Sequence, residues 1–107
     1  MTQKDSFDLV LMKFIDAHLD LYGFIQAKTI CEQFYMHRTR ASSAMTMHLD
    51  KKPSNSRYNL RLKRHEKTYT FKKHFLKSSS LLFLNSIEEV FGKPGDIVKI
   101  DSTDDIV

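Results

Sequence analysis

The stretch from Ala27 to Asp50 constrains the fold most, because it holds two short helical patterns with almost nothing between them. In "AKTICEQF", Ala27, Ile30, Cys31 and Phe34 recur at the spacing of one helix face. After Tyr35, Met36 and His37 the pattern restarts in "RTRASSAMTMHLD". There Ala41, Ala44, Met45, His48 and Leu49 mark the inner face of a helix over about 38–50. Two short helices joined by a turn of three or four residues make a helix-turn-helix.

The flanking segments extend that motif into a domain. Phe7, Val10, Leu11, Phe14, Ile15 and Tyr22 predict a first helix over about 6–22, capped by Asp5 or Ser6 and stopped by Gly23. Pro53 and "SNS" end the third helix. Tyr58, Leu60 and Leu62 then alternate with polar residues, as do Tyr69 and Phe71. Alternation on both sides of the polar "KRHEK" predicts a two-stranded hairpin turning there. "SSS" at 78–80 can cap a fourth helix, with Leu81, Leu84, Ile87 and Phe91 on one face and Gly92, Pro94 and Gly95 at its end. The expected architecture is mainly α with a small β-hairpin. Residues 1–77 form a winged helix-turn-helix, 78–92 a C-terminal helix, and 93–107 an acidic tail with room for a short edge strand at Ile97–Ile100.

A chain of 107 residues is one domain in length, and 41% hydrophobic with 28% charged residues is a soluble, globular balance. The net charge of +4 conceals an uneven distribution. Residues 37–77 hold twelve Lys/Arg against Asp50 and Glu66, a net of +10; residues 1–36 carry −2 and residues 78–107 carry −4. A basic centre between acidic flanks is the footprint of a polyanion binder.

The third helix is the natural reading head. The N-terminal residues of a helix-turn-helix's second helix reach base edges in the major groove. Arg38, Thr39, Arg40, Ser42 and Ser43 stand there, and the flat fork of arginine matches guanine O6 and N7. Small residues, Ala41 to Ala44, let the helix come close. Backbone and wing contacts are expected from His37, Thr46, Lys51, Lys52, Arg57, Arg61, Lys63, Arg64, His65 and Lys67. The bland alternative for the wing cations is a solvated strand edge guarded against aggregation. The apolar face of Leu81, Leu84, Ile87 and Phe91 is the candidate homodimer seam, and its alternative is packing on its own domain.

"FYMHRTRASSAMTMHLDKKPSNSRY" resembles the N-terminal winged helix-turn-helix of bacterial WYL-domain transcriptional repressors, among them the BREX and CBASS defence regulators. Phe34, Arg38, Ala41, Ser42, Pro53, Asn55 and Tyr58 match the family pattern without a gap, and "FKKHF" resembles its segment after the wing. The resemblance covers about residues 7–77 and implies duplex DNA binding. Arg40 stands where the pattern has Gln and His37 where it has Ser, and the segment from Tyr58 to Tyr69 is a few residues longer. No WYL domain follows in this sequence, so the expectation is a free-standing DNA-binding domain.

Other chemistry finds little support. His18, His37, His48, His65 and His74 are scattered, and none lies at zinc-ligand spacing from Cys31. Three glycines build no phosphate loop, and the side chains of Glu88 and Glu89 diverge on a helix. Cys31 reads as core rather than nucleophile. No enzyme, metal or cofactor is expected. The N-terminus is no secretory signal, no apolar run is of membrane-spanning length, and a lone cysteine fits the cytosol, alongside the nucleoid. The expected function is a dimeric repressor binding an inverted repeat in double-stranded DNA at a phage, mobile-element or defence locus. The rivals are a winged-helix protein docking on an acidic protein surface, and an RNA or single-strand binder stacking bases on Tyr58, Tyr69, Phe71 and Phe75. For most of those aromatics, strand alternation favours core packing.

Overall fold

The computed structural model describes residues 2–94; the acidic tail from Gly95 on, with the edge strand expected at 97–100, lies outside them. Helix α1, Gln3–Tyr22, begins one turn earlier than the apolar pattern suggests. Thr2 and Asp5 close a reciprocal capping box at its start. At the other end Gly23 takes φ 84°, which glycine adopts freely, and its N–H closes onto Leu19 O at 3.0 Å. The turn feeds strand β1, Phe24–Ile25, which sequence periodicity could not reveal in two residues. Helices α2, Ala27–Phe34, and α3, Arg38–Lys51, form the helix-turn-helix. Strands β2, Ser56–Asn59, and β3, Arg64–Lys67, form the wing, and α4, Ser80–Phe91, closes the domain. Ser79 caps α4 through a bond from Leu82 N, as the serine run predicts.

The sheet has three antiparallel strands in the order β1-β3-β2, so β3 is its centre. This corrects the expected hairpin. "KRHEK" is not the turn: Arg64–Lys67 is the central strand, and the turn is Leu60–Lys63. The charged residues tolerate a central position because Arg64 Nε donates to Glu66 Oε2 at 2.7 Å and the guanidinium lies 4.2 Å over the Phe24 ring. Leu60 and Leu62, read as a strand face, are instead exposed on the turn. Tyr69 is wholly exposed, against the expectation of core packing, while Phe71 and Phe75 do pack against the core.

The core lies between α1, α2, α3 and α4. Leu11, Phe14, Ile15, Leu19, Ile25, Ile30, Ala41 and Ala44 are almost completely sealed from water. Phe34, at the end of α2, is the hub: its ring meets Phe7 at 5.7 Å, Phe14 at 4.9 Å and Phe91 at 5.0 Å, edge to face. Ile87 is buried, and Leu84 and Phe91 pack on the same core. Three of the four residues expected at a dimer seam are therefore spent on their own domain; Leu81 alone of that set is exposed.

Polar groups locate the third helix and the wing. His48 of α3 and Asp16 of α1 are both buried, and His48 Nε2 donates to Asp16 Oδ1 at 2.7 Å. The other oxygen, Oδ2, accepts from the backbone N–H groups of His74, Phe75 and Leu76. Burial would raise the Asp16 pKa, but the His48 bond and the Leu76 and Phe75 N–H groups outweigh it and hold the carboxyl below its usual value. Asn55, also buried, joins the loop after α3 to the strap after the wing. Its Nδ2 donates to Lys72 O at 2.6 Å, and its Oδ1 accepts from Lys72 N at 3.0 Å.

Candidate nucleic-acid interface

Helix α3 buries Ala41, Ala44, Met45 and His48, which turns the opposite face outward. On that face Arg38, Thr39, Ser42, Ser43, Thr46 and Lys51, with Met47 and Asp50, border an open hollow of about 850 Å³. A second groove, about 370 Å³, runs between α3 and the wing. Arg38, Ser42 and Thr46 line both, and Tyr58, Lys63 and His65 supply the wing side. The two hollows thus form one surface, with the N-terminal half of α3 as its ridge.

Four of the five expected base-reading residues, Arg38, Thr39, Ser42 and Ser43, come together here, and Thr46 and Lys51 join them. Arg40 does not. Its Nη2 meets Asp8 Oδ1 of α1 at 2.5 Å, and its guanidinium sits 5.9 Å over the Phe7 ring. The reason is helical geometry: residues two apart point about 200° from each other. Arg38 and Arg40 therefore cannot read one groove together. His37 is exposed at the start of α3, where helix N–H groups favour a phosphate, and makes no side-chain cap bond.

The wing is similarly divided. Arg57, Arg61 and Lys63 are exposed. Arg64 is half-buried and holds Glu66 and the Phe24 ring. Lys67 donates to Asp20 O at 3.4 Å and lies 5.9 Å from the Phe71 ring, which ties it to the wing's base. Burial, helped by the charge of His48, pushes the His65 ring below its usual pKa. The ring stands beside that of Tyr58, with centroids 5.0 Å apart. Lys52 is half-buried where its carbonyl accepts from Asn55 N.

Sequence reasoning missed two kinds of residue. Asp50 lies on the surface itself and left no signal, whereas Tyr58, also on it, was named only as a base-stacking candidate and as the end of the Pro-x-Asn-x-x-Tyr match. Asp16, His48 and Asn55 hold the surface in place through contacts across 17 to 60 residues of chain, which no local pattern reports.

The model of the BrxR transcriptional regulator winged helix-turn-helix domain family matches residues 9–89. The chain belongs to that family. The BrxR winged domain is the class read from residues 34–58, and its match runs from α1 through most of α4, beyond the resemblance seen in the sequence. The match takes in α4 as far as residue 89, and Ile87 of that helix lies in the core. No curated protein matches the chain. Among the described residues no helix is long and apolar enough to cross a membrane, and no group of three His, Cys, Asp or Glu could hold a metal ion. Cys31 is half-buried, and burial pushes its thiol up, away from the reactive thiolate.

Proposed function

We propose that the chain is a sequence-specific regulator that binds double-stranded DNA in the cytoplasm and represses transcription at its site. One observation carries this reading: Arg38, Ser42 and Thr46 stand on a ridge shared by the outer face of α3 and the α3–wing groove. The α3 ridge enters the major groove, Arg38 meets a guanine edge, and Ser42, Ser43 and Thr39 contact bases or phosphates at close approach. Arg57, Arg61, Lys63, Lys51 and His37 meet the backbone on either side. The acidic Asp50 on the reading face accepts from a cytosine amino group or excludes a phosphate, which sharpens selectivity.

One such domain offers little surface, so the reading includes a homodimer on an inverted repeat. With Leu84, Ile87 and Phe91 packed internally, the seam falls to the exposed Leu81 and Leu82 at the start of α4.

Selection of bound sites from a random duplex pool tests the whole reading. An inverted repeat is the expected product. A shift assay with duplex, single-stranded DNA and RNA at two salt concentrations should favour duplex; absence of duplex binding at low salt ends the proposal. In light scattering, Leu81→Asp with Leu82→Asp should yield monomers, and an unchanged dimer removes α4 from the seam.

A further inference from the structure

The wing tip breaks the rules of turn chemistry. Four-residue turns favour Gly, Asn, Asp and Ser, yet this one is Leu60-Arg61-Leu62-Lys63. Leu60 is 78% exposed and Leu62 47% exposed, so neither does much for the core. The turn is held by another residue: Asn59 Oδ1 accepts from Leu62 N at 3.0 Å, and Asn59 Nδ2 donates to Glu66 Oε2 at 3.2 Å. Lys63 takes a left-handed φ of 53°, which a lysine adopts at a cost. A local rule broken with no gain in folding marks a functional position. The result is a preformed tip that carries two leucines outward beside the exposed Arg61 and Lys63.

We infer that the wing tip is a wedge: Leu60, backed by Leu62, enters the minor groove of duplex DNA and partly unstacks a base step, bending the duplex. The inference rests on the DNA-binding reading above and deepens it. Charge complementarity selects the occupant, because the exposed Arg61 and Lys63 alternate with the leucines along the tip and suit the phosphate rows edging a minor groove. With α3 in the major groove, the wing beside it reaches the adjoining minor groove. Apolar side chains, leucine among them, open base steps there and kink the duplex by roughly 20–90°. A tip held by Asn59 enters with little ordering entropy to lose.

The test uses a duplex of about three helical turns recovered by the selection above, with a donor and an acceptor dye at its ends. Binding of the full chain should raise energy transfer as the ends approach. Leu60→Ala with Leu62→Ala should abolish that rise while affinity falls by no more than roughly tenfold. Both side chains are exposed, so the melting temperature should hold and separate this loss from misfolding. Arg61→Ala should weaken binding most at low salt, make the salt dependence shallower, and keep the bend. A duplex bound without bending, or a bend that survives the double substitution, overturns the wedge alone. If no duplex is recovered or bound, the DNA-binding reading falls and the wedge with it.

Discussion

The carboxylate of Asp16 and the imidazole of His48, 32 residues apart in the chain, meet at 2.7 Å where neither is touched by water. Through this bond α1 grips α3 near its C-terminal end, and the second carboxylate oxygen holds three consecutive N–H groups of the strap after the wing. Asp16→Ala leaves those donors and His48 buried without a partner, which should cost about 3–5 kcal/mol. Asp16→Asn keeps the shape but loses an acceptor and should cost less. Urea unfolding of the two variants checks the order. Because the Asp16 pKa is lowered from 3.8, its contribution is complete above that value and is lost as pH falls through the lower folded-state value.

His18 gives the fold a second acid sensitivity. Its ring lies between Phe14, at 4.6 Å, and Tyr22, at 5.0 Å, and burial lowers its pKa from 6.5 to about 4. The unfolded chain then binds the proton more readily than the folded one. Stability should be full above pH 6.5 and decline as pH falls toward 4. His18→Phe should flatten that part of the curve, measured as the urea midpoint against pH.

Arg38 and Arg40 should part company in mutational tests. Arg38→Ala should cost about 1–3 kcal/mol on the preferred duplex and relax selectivity at one base pair. Arg40→Ala should leave sequence preference intact and lower stability by about 1 kcal/mol or less, since its pair with Asp8 is only partly shielded. Titration of each variant against preferred and scrambled duplexes distinguishes them. Equal losses for Arg38→Ala on both duplexes would assign it to a phosphate.

Asn55 fills both halves of an amide pair with Lys72, much as a second backbone would. Asn55→Asp replaces a donor with an acceptor facing Lys72 O, and should destabilise the domain by about 1–3 kcal/mol. Amide exchange should quicken in β2 and the strap before it does in α1.

Much of this was legible in the sequence. The boundaries of α2, α3 and α4 follow from apolar spacing and from Pro53, Gly92 and the serine run. The family follows from the match running from Phe34 to Tyr58. The wing was harder because its two strands are four residues long, and the central one is RHEK, whose partner Phe24 becomes visible only in the sheet. Arg40 was misplaced because its type suited the task while its phase on the helix did not. The packing of Leu84, Ile87 and Phe91 on their own core was not legible because a wide apolar face does not say which side is turned inward.

Strand β1 has a consequence for how such a domain diversifies. It follows α1 after a single glycine and pairs with β3, while Lys67 N also bonds Gly23 O at 2.9 Å. The wing is thus mounted on one end of α1 and the reading helix is bolted to its middle through Asp16. On the proposed reading, α1 touches neither groove yet acts as the ruler between the two contacts. Side chains on α3 can then be exchanged to change which bases are preferred, while the spacing of bases to wing contact stays an inherited property of a helix that never meets the DNA.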